Sequence, residues 1–144
     1  MFLLVIFALL SSGCSKTSLP VFSDVPRNGV FYKSIGTMAQ GGYMIGTSTA
    51  PAIFSPDDPL TRVQAAVLVL RLQNGPNWTP PPATGTVFAD MDINHWGTAW
   101  AEKAYYEGLV YGCGSMDGKP IFCLDEPMVF SWELIANFIA PDLK

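Results

Sequence analysis

An internal repeat is the feature that most constrains how this chain can fold. Four landmarks occur twice in the same order, at offsets of 66 to 68 residues between their first three pairs. In the first and second copy they are VFSDV (21–25) and VFADM (87–91), GGYMIG (41–46) and GLVYG (108–112), IFSPDDP (53–59) and IFCLDEP (121–127), and apolar runs at 63–72 and 132–139. A single unit of this size cannot bury its apolar face alone. The two copies are therefore predicted to pack on each other or on another molecule.

The repeat divides the chain into five predicted segments. They are a signal peptide (1–13), a tether (14–20), repeat one (21–72), a Pro/Gly-rich linker (73–86) and repeat two (87–140). The linker sequence QNGPNWTPPPATGT favours an extended connection, because its prolines and glycines interrupt regular structure.

The N-terminus predicts export. MFLLVIFALL at 1–10 carries no charge; it is too short to cross a bilayer as a helix but suits a signal-peptide core. Cys14 follows Ser-Ser-Gly, and a cysteine directly after small residues is where bacterial lipoproteins are cleaved and lipidated. We therefore predict lipidation at Cys14, with an ordinary cleaved signal or anchor as the alternative. The predicted localisation is the cell envelope or cell surface, with membrane contact only through a lipid anchor.

The first helix of each repeat is marked by apolar residues at helical spacing. The predicted faces are Phe31, Ile35, Met38 and Ala39 in repeat one, and Trp96, Trp100 and Ala104 in repeat two. Gly41-Gly42 and Gly108 follow these runs and are expected to end the helices. On repeat two, Glu102, Lys103 and Glu107 are assigned to the other faces.

The second helix of repeat one is predicted to begin at Thr61. Its hydroxyl and Gln64, three residues on, form a capping-box pattern. Residues 132–139 predict the matching helix of repeat two. The segments before these helices, around Phe54 and Phe122, are expected to form a short extended pairing. The expected fold is therefore mainly α: tandem helix-turn-helix repeats packed as a small helical bundle, with short extended segments between helices.

Cysteine count predicts one disulfide. With Cys14 assigned to lipid, Cys113 and Cys123 remain, and an even pair in an exported chain indicates a disulfide. A metal site is the competing interpretation; it is disfavoured because His95 is the only histidine and no further soft ligand is near. Neither a metal nor any other cofactor is predicted.

Charge and motifs exclude several function classes. The chain has a net charge of −4 and only 8 Lys+Arg, whereas nucleic-acid binding needs clustered basic side chains. It contains no Gly-x-Ser-x-Gly, His-Glu-x-x-His or phosphate-loop motif. We therefore predict that it is not an enzyme and has no nucleic-acid partner.

The ordered motifs resemble the S-layer homology (SLH) repeat. Repeat one resembles it over 22–72, with an aromatic helix start at Phe31-Tyr32 and a Phe-x-Pro-Asp-x-Pro-Leu-Thr-Arg-x-Gln motif from Phe54. Repeat two resembles it over 88–139, with the His95-Trp96 form and the cysteine-bearing variant. The resemblance implies a mainly helical module, usually of three repeats, whose grooves bind anionic, often pyruvylated, cell-wall polysaccharide.

The resemblance also implies a binding site. The Arg of its Thr-Arg motif pairs with the anion, and here that residue is Arg62, beside Thr61. A first-turn position suits this role, because free amides and the helix dipole attract anions there and a guanidinium can pair bidentately with a carboxylate. A solvated charge, or a salt bridge to Asp57 or Asp58, is the competing interpretation.

Aromatic side chains complete the predicted glycan site. Phe31, Tyr32 and Trp96 are candidates to stack on sugar, and core packing is the competing interpretation.

Repeat two departs from the motif. Aligning Gln64 with Glu133 places Phe130 and Ser131 where repeat one has Thr61 and Arg62. The predicted function is a non-catalytic cell-surface anchor that binds cell-wall polysaccharide. The alternative is an assembly or docking module of the cell envelope, acting as an oligomer or filament subunit or on an envelope protein partner, because aromatics in place of polar motif residues often mark an interface.

Overall fold

Three helices and two small antiparallel sheets make up the part of the chain that the computed structural model describes, residues 19–128. In chain order they are α1 (Tyr32–Gln40), β1 (Ser48–Thr49), β2 (Ala52–Ile53), α2 (Arg62–Asn74), α3 (Thr98–Tyr106), β3 (Gly114–Met116) and β4 (Lys119–Ile121). The predicted signal peptide, Cys14 and the predicted helix at 132–139 lie outside the described residues.

The expectation of a mainly α-helical bundle is wrong. Helix accounts for 28% and strand for 11% of the structure, which is a mixed α/β fold. The reason is that the segments that follow α1 and α3 each pair with themselves as a hairpin, β1 with β2 and β3 with β4. Asp117 and Gly118 both have positive φ, the geometry that two-residue hairpin turns favour. Backbone groups that no helix could satisfy are hydrogen-bonded in this way.

The predicted helix boundaries are mostly correct. The Thr61 hydroxyl accepts the Gln64 amide, and the Gln64 side chain accepts the Thr61 amide at 3.0 Å, so the capping box is confirmed. α1 and α3 end before Gly42 and Gly108, which both take positive φ. The predicted face of repeat two begins too early, because α3 starts at Thr98 and leaves Trp96 outside it.

The sequence repeat is also a repeat of hydrogen bonds. In each repeat, the Asp of the first landmark accepts hydrogen bonds from two consecutive backbone amides in the turn that follows the hairpin. These bonds run from Phe54 (2.9 Å) and Ser55 (2.6 Å) to Asp24, and from Phe122 and Cys123 (2.7 Å each) to Asp90. The same carboxylate therefore fixes the same turn twice.

Aromatic packing repeats in the same way. The rings of Phe22 and Phe54 lie 5.3 Å apart, and those of Phe88 and Phe122 lie 5.0 Å apart, each pair tilted by 58°. Equivalent positions therefore have equivalent surroundings, and contacts of one repeat can be compared directly with those of the other.

The main core lies in repeat two and is completed by repeat one. Its buried members are Val63, Ala66, Leu70, Phe88, Met91, Ala101, Ala104, Val110 and Phe122. Helix α2 of repeat one supplies the first three and packs against α3 of repeat two. Within residues 19–128, α1 packs against no other helix.

The two repeats meet next to the start of α2. Met128 donates its amide to the carbonyl of Leu60 at 2.7 Å, and Thr61 pairs with Pro127 in an antiparallel bridge. Leu60 and Met128 follow the same Asp-Asp/Glu-Pro turn in their repeats. The local pairing between the repeats therefore joins equivalent positions. Across the described residues, no helix has the length and apolar character needed to cross a bilayer.

Candidate ligand cleft between the repeats

A cleft of about 710 Å³ opens between repeat one and the start of repeat two. Its lining comprises 43–47, 54–56, 58–61, one side of α2 (Gln64, Val67, Leu68 and Arg71), Trp96 and Trp100. The volume lies within the range of small-molecule sites, which are mostly apolar with a few placed polar groups. Phe54 and Ser55, which line the cleft, are held in place by the hydrogen bonds from their amides to the Asp24 carboxylate. The carboxylate that recurs in both repeats therefore also shapes the cleft.

Arg71 is the one basic side chain among the residues that line the cleft. It stands in the last turn of α2, where a cation suits the helix dipole. Its guanidinium carbon lies 5.5 Å from the ring centroid of Trp100. The Nε atom is buried and has no hydrogen-bond partner within residues 19–128. A buried donor left unpaired costs about 1–3 kcal/mol.

Two tryptophans give the cleft an aromatic wall. Trp100 is half-buried and held in place by Trp78 of the linker, edge to face at 5.8 Å between centroids. Trp96 is 60% exposed, beside His95. One ring is therefore fixed against the guanidinium, and the other offers a free face to a ligand.

Hydroxyl groups lie at the loop side of the cleft. Thr47 and Ser55 share a hydrogen bond of 2.9 Å between their side-chain oxygens, and Asp58 lies on the same rim. A guanidinium, aromatic faces and hydroxyls together can bind a sugar that carries an acidic group: the rings pack on its apolar face, and the polar groups hydrogen-bond to its oxygens.

Arg62, the predicted anion ligand, lies elsewhere. Its Nε–H donates to the carbonyl of Phe122 at 2.7 Å, and its Nη2 donates to the carbonyl of Tyr111. The guanidinium also lies over the Phe122 ring, 5.2 Å from the centroid. Desolvation lowers the pKa of Arg62, although the nearby Asp90 carboxylate opposes this. Arg62 therefore joins repeat one to the backbone of repeat two, instead of pairing with Asp57 or Asp58.

The other predicted site residues divide into two places. Thr61 and Trp96 line the cleft. Phe31 caps the N-terminus of α1 and is 69% exposed, and Tyr32 begins that helix; neither belongs to the cleft. The predicted disulfide between Cys113 and Cys123 is present and ties the start of the second hairpin to the turn that follows it.

Sequence reasoning missed Arg71 as a site residue and Glu102 as a buried one. Gln64, Val67 and Arg71 follow the i, i+3, i+7 spacing of one helical face, so a search of α2 for a second face would have found Arg71. Glu102 is only 3% exposed and accepts the amides of Thr84 (2.6 Å) and Gly85 (2.9 Å) from the linker. The prediction assigned Glu102 to one of the other faces of this helix and did not include its burial, which arises because the linker folds back over α3.

Residues 19–128 contain no cluster of side chains that could hold a metal ion. Comparisons with protein-family models, with curated proteins and with solved structures found no match. The resemblance to the SLH repeat therefore stays a prediction.

Proposed function

We propose that this protein is a non-catalytic cell-surface module that binds an anionic cell-wall polysaccharide in the cleft between its repeats. The observation that carries the proposal is Arg71, the one basic side chain among the residues that line the cleft, whose guanidinium lies against the ring of Trp100. A cation fixed beside an aromatic face suits a ligand that combines a negative charge with a sugar ring.

The chemistry of the cleft favours an acidic sugar. A carboxylate, such as that of a pyruvylated residue, would form a charge-assisted hydrogen bond to Arg71, and bonds of this class contribute about 1.5–3 kcal/mol. Trp96, with its exposed ring, would pack on the sugar ring beside it. This arrangement gives the anion-pairing role to Arg71, because the guanidinium of Arg62 is bonded to carbonyls of repeat two.

Co-sedimentation with wall material of the source organism tests the proposal. We expect the purified protein to sediment with the walls, and Arg71→Gln to weaken binding by about 10- to 150-fold, the equivalent of 1.5–3 kcal/mol. Arg27→Gln is the matched control, since it removes one exposed positive charge from the same repeat outside the cleft. Wild-type protein that does not sediment, or Arg71→Gln that binds as well as Arg27→Gln, would contradict the proposal.

Exposed apolar side chains favour a second function, assembly with other envelope proteins. The neighbouring residues Val30 and Phe31 are 90% and 69% exposed, and adjoining exposed apolar side chains can mark an interface. For this alternative we expect the sedimentation coefficient to rise with protein concentration and the wall material to have no effect.

A further inference from the structure

A groove of about 250 Å³ lies along α1. It is apolar, and its main contributors are Phe31, Ile35, Met38, Met44, Phe54 and Pro56. It adjoins the cleft that contains Arg71, and the two share Met44, Phe54 and Pro56 as lining residues.

The repeat shows what this groove corresponds to in the other half of the molecule. Residues 35, 38 and 44 match 101, 104 and 110 at an offset of 66, and 54 matches 122 at an offset of 68. The matching residues are Ala101, Ala104, Val110 and Phe122, and each is at most 3% exposed. They form the surface of repeat two on which α2 packs through Val63, Ala66 and Leu70. The α1 groove is therefore the counterpart of a helix-binding surface.

The chain contains a matching occupant. In the sequence, the segment that corresponds to α2 follows Met128, and aligning Gln64 with Glu133 places Trp132, Ile135 and Ile139 at the positions of the three α2 residues in the main core. All three are apolar and follow the i, i+3, i+7 spacing of one helical face.

Met128, the last residue that the structure describes, also lies close to the groove. Met128 is hydrogen-bonded to Leu60, and Leu60 is four residues from Pro56 in the groove. Four residues span at most about 14 Å, so residues 129–144 start within reach of the groove of the same molecule.

We propose that residues 129–144 pack Trp132, Ile135 and Ile139 into the α1 groove of the same molecule, so that the two repeats exchange their second helices. Phe31 and Trp132 take the places of Gly97 and Val63, which lie so close that a Cβ on the glycine would collide with the Val63 side chain. The two larger side chains would therefore meet with residues 129–144 displaced outward from α1. The inference is independent of the glycan, since it concerns only how the two repeats close on each other.

Hydrogen–deuterium exchange of the full chain tests this packing. In the wild-type protein we expect peptides from 129–144 to be protected. Met38→Asp places a charge in the groove and should speed their exchange at least tenfold, whereas Thr37→Asp, on the neighbouring exposed position of α1, should not. Exchange of 129–144 at the rate of an unstructured chain in the wild type, or unchanged protection in Met38→Asp, would overturn the proposal.

A cysteine pair gives a readout that does not depend on the stability of the Met38 variant. Phe31→Cys with Trp132→Cys should cross-link within one molecule on mild oxidation, while Thr49→Cys with Trp132→Cys should not. A cross-link that joins two chains, or equal cross-linking of both pairs, would overturn the assignment to the same molecule.

Discussion

Arg62 of repeat one donates its Nε–H to the backbone carbonyl of Phe122 in repeat two at 2.7 Å. A second bond from the same guanidinium reaches the carbonyl of Tyr111, and the cation lies over the buried Phe122 ring. The side chain follows Thr61, the cap of α2, so the position that starts this helix also binds the helix to the other repeat. A residue that resembles a ligand-binding arginine thus has a structural role here.

Arg62→Ala should therefore lower stability. Loss of two charge-assisted hydrogen bonds, one of them to a fully buried residue, predicts a decrease of about 2–3 kcal/mol in the free energy of unfolding, measured in urea. Lysine should recover less than half of this, because it lacks the planar fork that reaches two carbonyls. Arg27→Ala, at an exposed position, is the control. If Arg62→Ala keeps wild-type stability but no longer binds wall material, Arg62 is the ligand and our assignment of that role to Arg71 is wrong.

Glu102 should make the free energy of unfolding depend on pH in the acid range. Desolvation tends to raise its pKa, but hydrogen bonds from Thr84, Val87 and Gly85 outweigh this and hold the pKa below its ordinary value of 4.5. A lowered pKa in the folded state stabilises the protein above the ordinary value, and this contribution is lost as the pH falls through the folded-state pKa.

We expect Glu102→Gln to cost about 1–3 kcal/mol at pH 7 and much less at pH 3, as measured by urea unfolding across this range. Glu107→Gln, which removes a surface ion pair with Lys103, should cost less than about 1 kcal/mol. An equal loss for Glu102→Gln at both pH values would show that its charge has no part in the effect.

The disulfide should make the melting temperature of the protein depend on redox conditions. Cys113 and Cys123 close a short loop around the second hairpin, and constraining a loop of this length in the unfolded chain contributes about 2–3 kcal/mol. Reduction by dithiothreitol should lower the melting temperature of the wild type to that of the Cys113→Ser/Cys123→Ser double variant, which should not respond to the reductant. A wild-type melting temperature that dithiothreitol does not change would contradict this.

The local signals in the sequence predicted individual elements well. Thr61 and Gln64 predicted the start of α2 because a capping box involves only neighbouring residues, and glycines at 42 and 108 predicted the ends of α1 and α3 by conformational preference alone. The fold class was wrong because apolar periodicity marks helices strongly, whereas hairpins with strands of two or three residues have too few positions to show a period of two.

The site could be predicted only in part, for a different reason. Thr61 and Trp96, two of the predicted site residues, line the cleft, and both adjoin turns that the repeat makes recognisable. Arg71 and Glu102 were missed because their surroundings come from distant segments: Arg71 meets Trp100 of the other repeat, and Glu102 meets the linker. Arg62 was predicted from a motif, but its partners are backbone carbonyls, which leave no trace in side-chain identity.

The two tryptophans of the cleft allow binding to be separated from packing. Trp96 is largely exposed, so Trp96→Ala should change the free energy of unfolding by no more than about 0.5 kcal/mol while weakening wall binding, because the free ring face is lost. Trp100 contacts Trp78, Arg71 and the main core, so Trp100→Ala should cost about 3 kcal/mol and weaken binding as well. Urea unfolding and co-sedimentation of both variants measure the two effects side by side. If Trp96→Ala loses as much stability as Trp100→Ala, then Trp96 serves packing and the aromatic wall does not bind sugar through it.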